Sequence, residues 1–156
     1  MPQTSNMSAK FSNKKSVTIH AAVSNVWRAL TDPQLIKQYF FGVEPLGDWR
    51  EGNAILYKGK WQGKKFESKA KVLQLEEQKL LKYSYWSNMS GLPDVPENYH
   101  IITYYLEKED DHTVLTMTEE NLDNEEMMER SSKLWDMVFQ NLQQLLEKEI
   151  YSTSHR

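Results

Sequence analysis

From Glu125 to about Ile150, apolar residues recur in steps of three and four: Met128, Ser131, Trp135, Val138, Leu142 and Leu145 fall on one face. That period belongs to an amphipathic helix. At about 1.5 Å per residue the helix is roughly 39 Å long, enough to cross a whole sheet. Asp123, Glu125 and Glu126 at its start suit the positive end of its dipole. A helix of this length with one apolar stripe must be covered by something broad, and most of the preceding chain alternates as strands.

Ser16-Val17-Thr18-Ile19-His20 reads as the first strand, with Val17 and Ile19 on one face. The period then changes: Val23, Val26, Trp27 and Leu30 mark a short helix, and Asp32-Pro33 restarts a second one carrying Leu35, Ile36, Tyr39 and Phe40. Asn53 to Trp61 alternates again, with Ile55, Tyr57, Gly59 and Trp61 on one side and Leu56, Lys58 and Lys60 on the other. Gln62-Gly63 is a hairpin turn. Phe66, Ser68, Ala70 and Val72 continue the sheet before the apolar phase slips to Leu73 and Leu75, the mark of a β-bulge. Leu80 to Trp86, Tyr99 to Glu107 and Thr113 to Thr118 complete a meander, interrupted by a long Asn88–Pro96 loop and a polar connection at residues 109–112. The expected class is α+β: a curved antiparallel sheet wrapped around a long C-terminal helix, with two short helices after strand one. A single domain over residues 14–151 is expected, flanked by flexible segments at 1–13 and 152–156.

Composition narrows the function. With 19 Lys and Arg against 22 Asp and Glu, the formal charge is -3, so nothing global favours nucleic acid. Cysteine is absent, which removes disulfides, thiolate nucleophiles and Cys-ligated metals. The four histidines, at 20, 100, 112 and 155, lack metal-pair spacing, and no motif calls for a cofactor. No apolar run is long enough to span a membrane and residues 1–10 show no apolar signal segment, so a cytoplasmic protein is expected. Neither a Gly-x-Ser-x-Gly elbow nor a glycine-rich phosphate loop occurs.

The residues left to carry function are aromatic. Five tryptophans, eight tyrosines and five phenylalanines give a large apolar surface with hydrogen-bonding tips. Tyr57, Trp61, Tyr83, Tyr85, Tyr104 and Trp135 are the candidates for a pocket lining, with ordinary core packing as the alternative. Ser131 and Val138 share the helix stripe with Trp135. His100 shares a strand face with Ile102 and Tyr104; the expected role is an outward or hydrogen-bonded strand histidine, the alternative a polar or proton-transfer group in the cavity. Glu119 follows Leu115 and Met117 on the inward phase. The strand is expected to close before it and leave it solvated; a longer strand would bury it in an apolar pocket with a raised pKa. Charge is segregated, with Lys58, Lys60, Lys64, Lys65, Lys69 and Lys71 on one hairpin and acidic residues throughout 107–129.

The run Ile19-His20-Ala21-Ala22-Val23-Ser24-Asn25-Val26-Trp27-Arg28-Ala29-Leu30-Thr31-Asp32-Pro33 resembles the opening signature of START-like (SRPBCC) proteins, especially those similar to the C-terminal domain of the activator of heat-shock-protein-90 ATPase. Asp48 to Gly52 resembles that family's glycine-containing lead-in to the second strand, and Trp135 to Leu146 its terminal helix stripe. The resemblance covers about residues 14 to 150. Ala22 stands where many members carry proline, and Asn53 where they often carry a second glycine. The resemblance implies a helix-grip fold whose cavity, in many relatives, holds a lipid or other apolar molecule. The function it implies is binding of a small apolar or amphipathic ligand. Two alternatives stay open: a chaperone-regulating module linked to heat stress, and a cyclase or hydrolase using His100 or Glu119. Binding is expected ahead of catalysis because no nucleophile or metal constellation accompanies the aromatic faces.

Overall fold

Asp32 ends one helix and begins the next. Its N–H donates to the Arg28 carbonyl at 2.8 Å, closing α1 (Val23–Thr31), while its carboxylate accepts from Gln34 N–H at 2.9 Å with Pro33 at the first position of α2 (Pro33–Tyr39). The apolar stripe of α1 buries Val26, Trp27, Ala29 and Leu30, and the Tyr39 hydroxyl donates to the Ala29 carbonyl at 2.9 Å, fixing the angle between the helices. The computed structural model describes residues 11–154, except for the side chains of Trp61 and of residues 148–154.

The strands are β1 (Phe11–Ile19), β2 (Glu44–Leu46), β3 (Ala54–Trp61), β4 (Lys64–Glu76), β5 (Leu80–Ser87), β6 (His100–Glu109) and β7 (His112–Leu122). They form one antiparallel sheet in the order β1-β7-β6-β5-β4-β3-β2. The hairpin turn at Gln62-Gly63 has positive φ at both residues, 52° and 81°, so its twist matches that of the strands it joins. The sheet curves around α3 (Glu125–Ser154), whose first turn is capped by Asn124 Oδ1 accepting from Met127 N–H at 2.8 Å. Lys15 pairs with Asp136 at 2.7 Å and Gln143 donates to the Thr18 carbonyl at 2.8 Å, so edge strand β1 is tied to the helix. Trp135, Val138 and Leu142 are buried against the concave face, as the stripe predicts, while Phe139 and Leu146 join them and Leu145 is only partly buried. The architecture is the expected α+β helix grip.

Four boundaries differ from the sequence reading. First, β1 begins at Phe11, and residues 11–13, expected in a flexible segment, are in the strand. Alternation weakens there because the inward-facing positions Asn13 and Lys15 are themselves polar, Asn13 bonding to Glu119 and Lys15 to Asp136. Second, β2 was not expected: it has three residues, one of them Pro45, which an edge strand tolerates. Third, the bulge lies where expected, but Leu73 is the extra residue and is 41% exposed, and only Leu75 turns to the core. Fourth, α3 continues through residues 152–154, which had been expected in the tail. Residues 1–10 and 155–156 lie outside the described residues. No helix among the described residues is long and apolar enough to cross a membrane.

Candidate functional site

Antiparallel register aligns side chains into rows across the concave face. One row runs Val72, Tyr83, Ile102, Glu119, Asn13; the next runs Ile55, Ala70, Tyr85, His100. Opposite these rows, Ser131, Trp135 and Val138 come down from α3. Between sheet and helix lies a cavity of about 130 Å³. Tyr57, Tyr83, Tyr85, His100, Ile102, Tyr104, Glu119, Ser131, Trp135 and Val138 all line it. Met117, also a candidate, is fully buried in the core and is not part of the wall. The Trp61 side chain lies outside the described residues. Leu30, Ile36, Tyr39 and Phe40 from the two short helices, with Trp49 and Leu134, complete the lining. The helix stripe of α1 and α2 carries a signal for the first four, but it reads as core. Trp49 sits in an irregular loop and has no periodicity to mark it.

The aromatic wall is held together edge to face. Ring centroids are 5.6 Å apart for Trp49–Tyr83 and for Tyr57–Tyr85, and 6.1 Å for Tyr104–Trp135, with interplanar angles of 70° to 79°. Such pairs add about 0.5–1.5 kcal/mol each beyond the area they bury. Burial pushes the Tyr57 and Tyr83 phenols well above the usual value of 10.0, and those of Tyr85 and Tyr104 also rise. The phenols therefore stay protonated and act as donors. Tyr85 donates to Ser68 Oγ at 2.8 Å, and the Tyr83 and Tyr104 hydroxyls face one another at 3.4 Å.

Glu119 is the polar centre of the wall. Strand β7 does not stop before it but runs to Leu122, and Glu119 is only 3% exposed, so the expected solvated position is wrong. Its Oε1 accepts from Ser131 Oγ at 2.6 Å, from Trp135 Nε1 at 3.1 Å and from Asn13 Nδ2 at 3.2 Å. Oε2 lies 3.3 Å from His100 Nδ1. Burial raises the pKa of a carboxyl, but the hydrogen bonds from His100, Ser131 and Asn13 outweigh it and hold Glu119 below the ordinary 4.5. The alternative of a raised pKa is thus also overturned: the pocket is apolar, but the carboxylate oxygens are surrounded by donors. His100 combines the two readings weighed for it, being half-buried, hydrogen-bonded and on the cavity wall.

Among the fully buried side-chain nitrogens and oxygens of the described residues, Trp49 Nε1 has no hydrogen-bond partner. No group of three His, Asp or Glu side chains among the described residues is placed to hold a metal ion.

A curved antiparallel sheet gripping a long helix around an aromatic cavity defines the START-like, or SRPBCC, class of fold. Within it, the chain belongs to the family described as Activator of Hsp90 ATPase homolog 1-like protein, which matches residues 20–147. ChR145 from Cytophaga hutchinsonii is 35% identical, with a TM-score of 0.78 over 90% of this chain and 97% of that one. MLL2253 from Mesorhizobium loti is 22% identical, with a TM-score of 0.75 over 88% and 98% of the two chains. CalU16 from Micromonospora echinospora is 27% identical, with a TM-score of 0.67 over 86% and 73%. No curated protein matches the chain.

Proposed function

We propose that the protein binds a small apolar or amphipathic molecule in the cavity between sheet and helix. The observation that carries this reading is the cavity itself, about 130 Å³ walled mainly by aromatic and aliphatic side chains with a few polar groups at one side. Its size selects the ligand. An engineered apolar cavity of about 150 Å³ accommodates benzene, so this one suits a single ring or a short branched chain in its present form. A sterol or a long acyl chain requires the wall to part, and Leu134, which is exposed at the rim, is the residue to be displaced first. Native mass spectrometry and thermal-shift measurements against one-ring aromatics, fatty acids and sterols test the reading. Retention of one-ring compounds with a rise in melting temperature supports it; no stabilisation by any compound overturns it.

A second reading is favoured by the charge pattern and by the family's description, which names activation of the Hsp90 ATPase. Lys60 stands directly across from Lys65 on the β3–β4 hairpin, with Lys58 and Lys71 exposed on the same face, although Lys65 lies 3.8 Å from Glu67 and Lys69 pairs with Asp94 at 2.6 Å. Like charges in register are destabilising, so a basic face built this way suits docking to an acidic partner. Capture of Hsp90 that weakens with salt, with a change in ATPase rate, supports it. Absence of both removes it.

A further inference from the structure

His100 and Glu119 meet on the cavity wall from the neighbouring strands β6 and β7, with His100 Nδ1 3.3 Å from Glu119 Oε2. Ser131, Trp135 and Asn13 fill the other carboxylate oxygen. Despite its burial Glu119 is held ionised by its donors, His100 and Ser131 first among them. An ionised carboxylate only accepts, so the contact requires the imidazole proton on Nδ1. In the neutral ring that tautomer leaves Nε2 as an acceptor, its lone pair pointing away from Glu119. Nε2 has no partner among the described residues, and it keeps accessible surface, unlike the sealed Trp49 Nε1. The Tyr57 hydroxyl, also on the wall and also without a partner among the described residues, can turn to donate or to accept and so favours no class of ligand. The His100 lone pair does favour one.

We propose that His100 Nε2 accepts a hydrogen bond from the occupant of the cavity, and that the occupant is a small neutral hydroxyl compound, an alcohol or phenol on a ring-sized apolar body. The proposal deepens the binding reading above and rests on it. A hydrocarbon, an ether or a ketone brings no donor to Nε2. A carboxylate brings none either, and it adds a second negative charge to the wall that holds Glu119. An ammonium has donors, but it must shed its hydration where Glu119 Oε1 already accepts three hydrogen bonds and Oε2 faces His100. A hydroxyl supplies the donor without a charge to desolvate.

The test compares phenol with toluene, which carries a methyl group in place of the hydroxyl, on the wild type and on His100→Phe. Taking the ratio in both proteins cancels the different hydration of the two compounds. The phenol-to-toluene affinity ratio is expected to fall about tenfold in the variant, the scale of one hydrogen bond. Nitrogen-15 NMR of the wild type gives a readout that does not depend on the variant folding: in the free protein the His100 ring proton sits on Nδ1, and phenol shifts the Nε2 resonance while toluene does not. A proton on Nε2 in the free protein overturns the proposal, and so does an unchanged ratio or the lack of a phenol-specific Nε2 shift; where toluene still binds, the binding reading stays intact. Tighter binding of benzylamine than of phenol also overturns it. Failure of both phenol and toluene to bind overturns both readings.

Discussion

The indole N–H of Trp135 on α3 donates to the carboxylate of Glu119 on β7 at 3.1 Å, across the interior of the grip. Because Ser131, one turn earlier, donates to the same oxygen at 2.6 Å, the helix is fixed both in rotation and in depth over the sheet. Trp135 is 7% exposed and stacks edge-on to Tyr104, so it contributes area as well as a donor. Trp135→Ala is expected to cost about 3–5 kcal/mol and to enlarge the cavity. Trp135→Phe keeps most of the area and is expected to cost about 1.5–3 kcal/mol for the lost hydrogen bond to a buried carboxylate. Urea denaturation of the two variants separates area from hydrogen bond; equal losses contradict this division.

Glu119 also makes the fold sensitive to acid. Its folded pKa lies below the ordinary 4.5, so the unfolded chain takes up its proton first as pH falls. The stability it contributes is fully present above 4.5 and is lost as pH drops through the depressed folded value. Glu119→Gln cannot titrate at this position. The stability gap between wild type and Glu119→Gln is expected to be widest at neutral pH and to narrow as pH falls below 4.5. A gap of constant size over that range contradicts an ionised Glu119.

The buried phenols act at the other end of the scale. Tyr39, Tyr57, Tyr83, Tyr85 and Tyr104 have folded pKa values raised by burial above 10.0. Their contribution is fully present below 10.0 and declines as pH rises toward the folded values, because the unfolded chain loses those protons more readily. In an ultraviolet titration these five phenols are expected to ionise only together with unfolding, and Tyr99 is expected to ionise late, because partial burial and its bond to Asp94 push it up to about 12. Smooth titration of all eight tyrosines near the ordinary value contradicts the buried assignment.

The parts of the fold that rest on long periodic patterns were legible in the sequence. The phase of α3 places Trp135, Val138 and Leu142 inward, and the alternation of β3, β5 and β6 places Tyr57, Tyr83 and Tyr104 on the same side. β2 was hidden because three residues with a central proline carry no period. Glu119 was misread for a different reason: its strand phase pointed inward, but its satisfaction depends on Asn13, 106 positions away, and on Ser131 and Trp135 of a separate helix. A buried charge is legible only once its donors are located, and sequence spacing does not locate them. Trp49 belongs to the same class, since the loop that carries it folds against the sheet with no pattern of its own.

The central claim is that the space between sheet and helix takes up a small apolar molecule. NMR titration of the isotopically labelled protein with toluene tests it most directly. Saturable shifts are expected at Ile36, Ile102, Trp135 and Val138 on the cavity wall, with Leu56 and Leu73 on the outer face unmoved. The absence of saturable shifts, or shifts confined to the outer face, contradicts the claim.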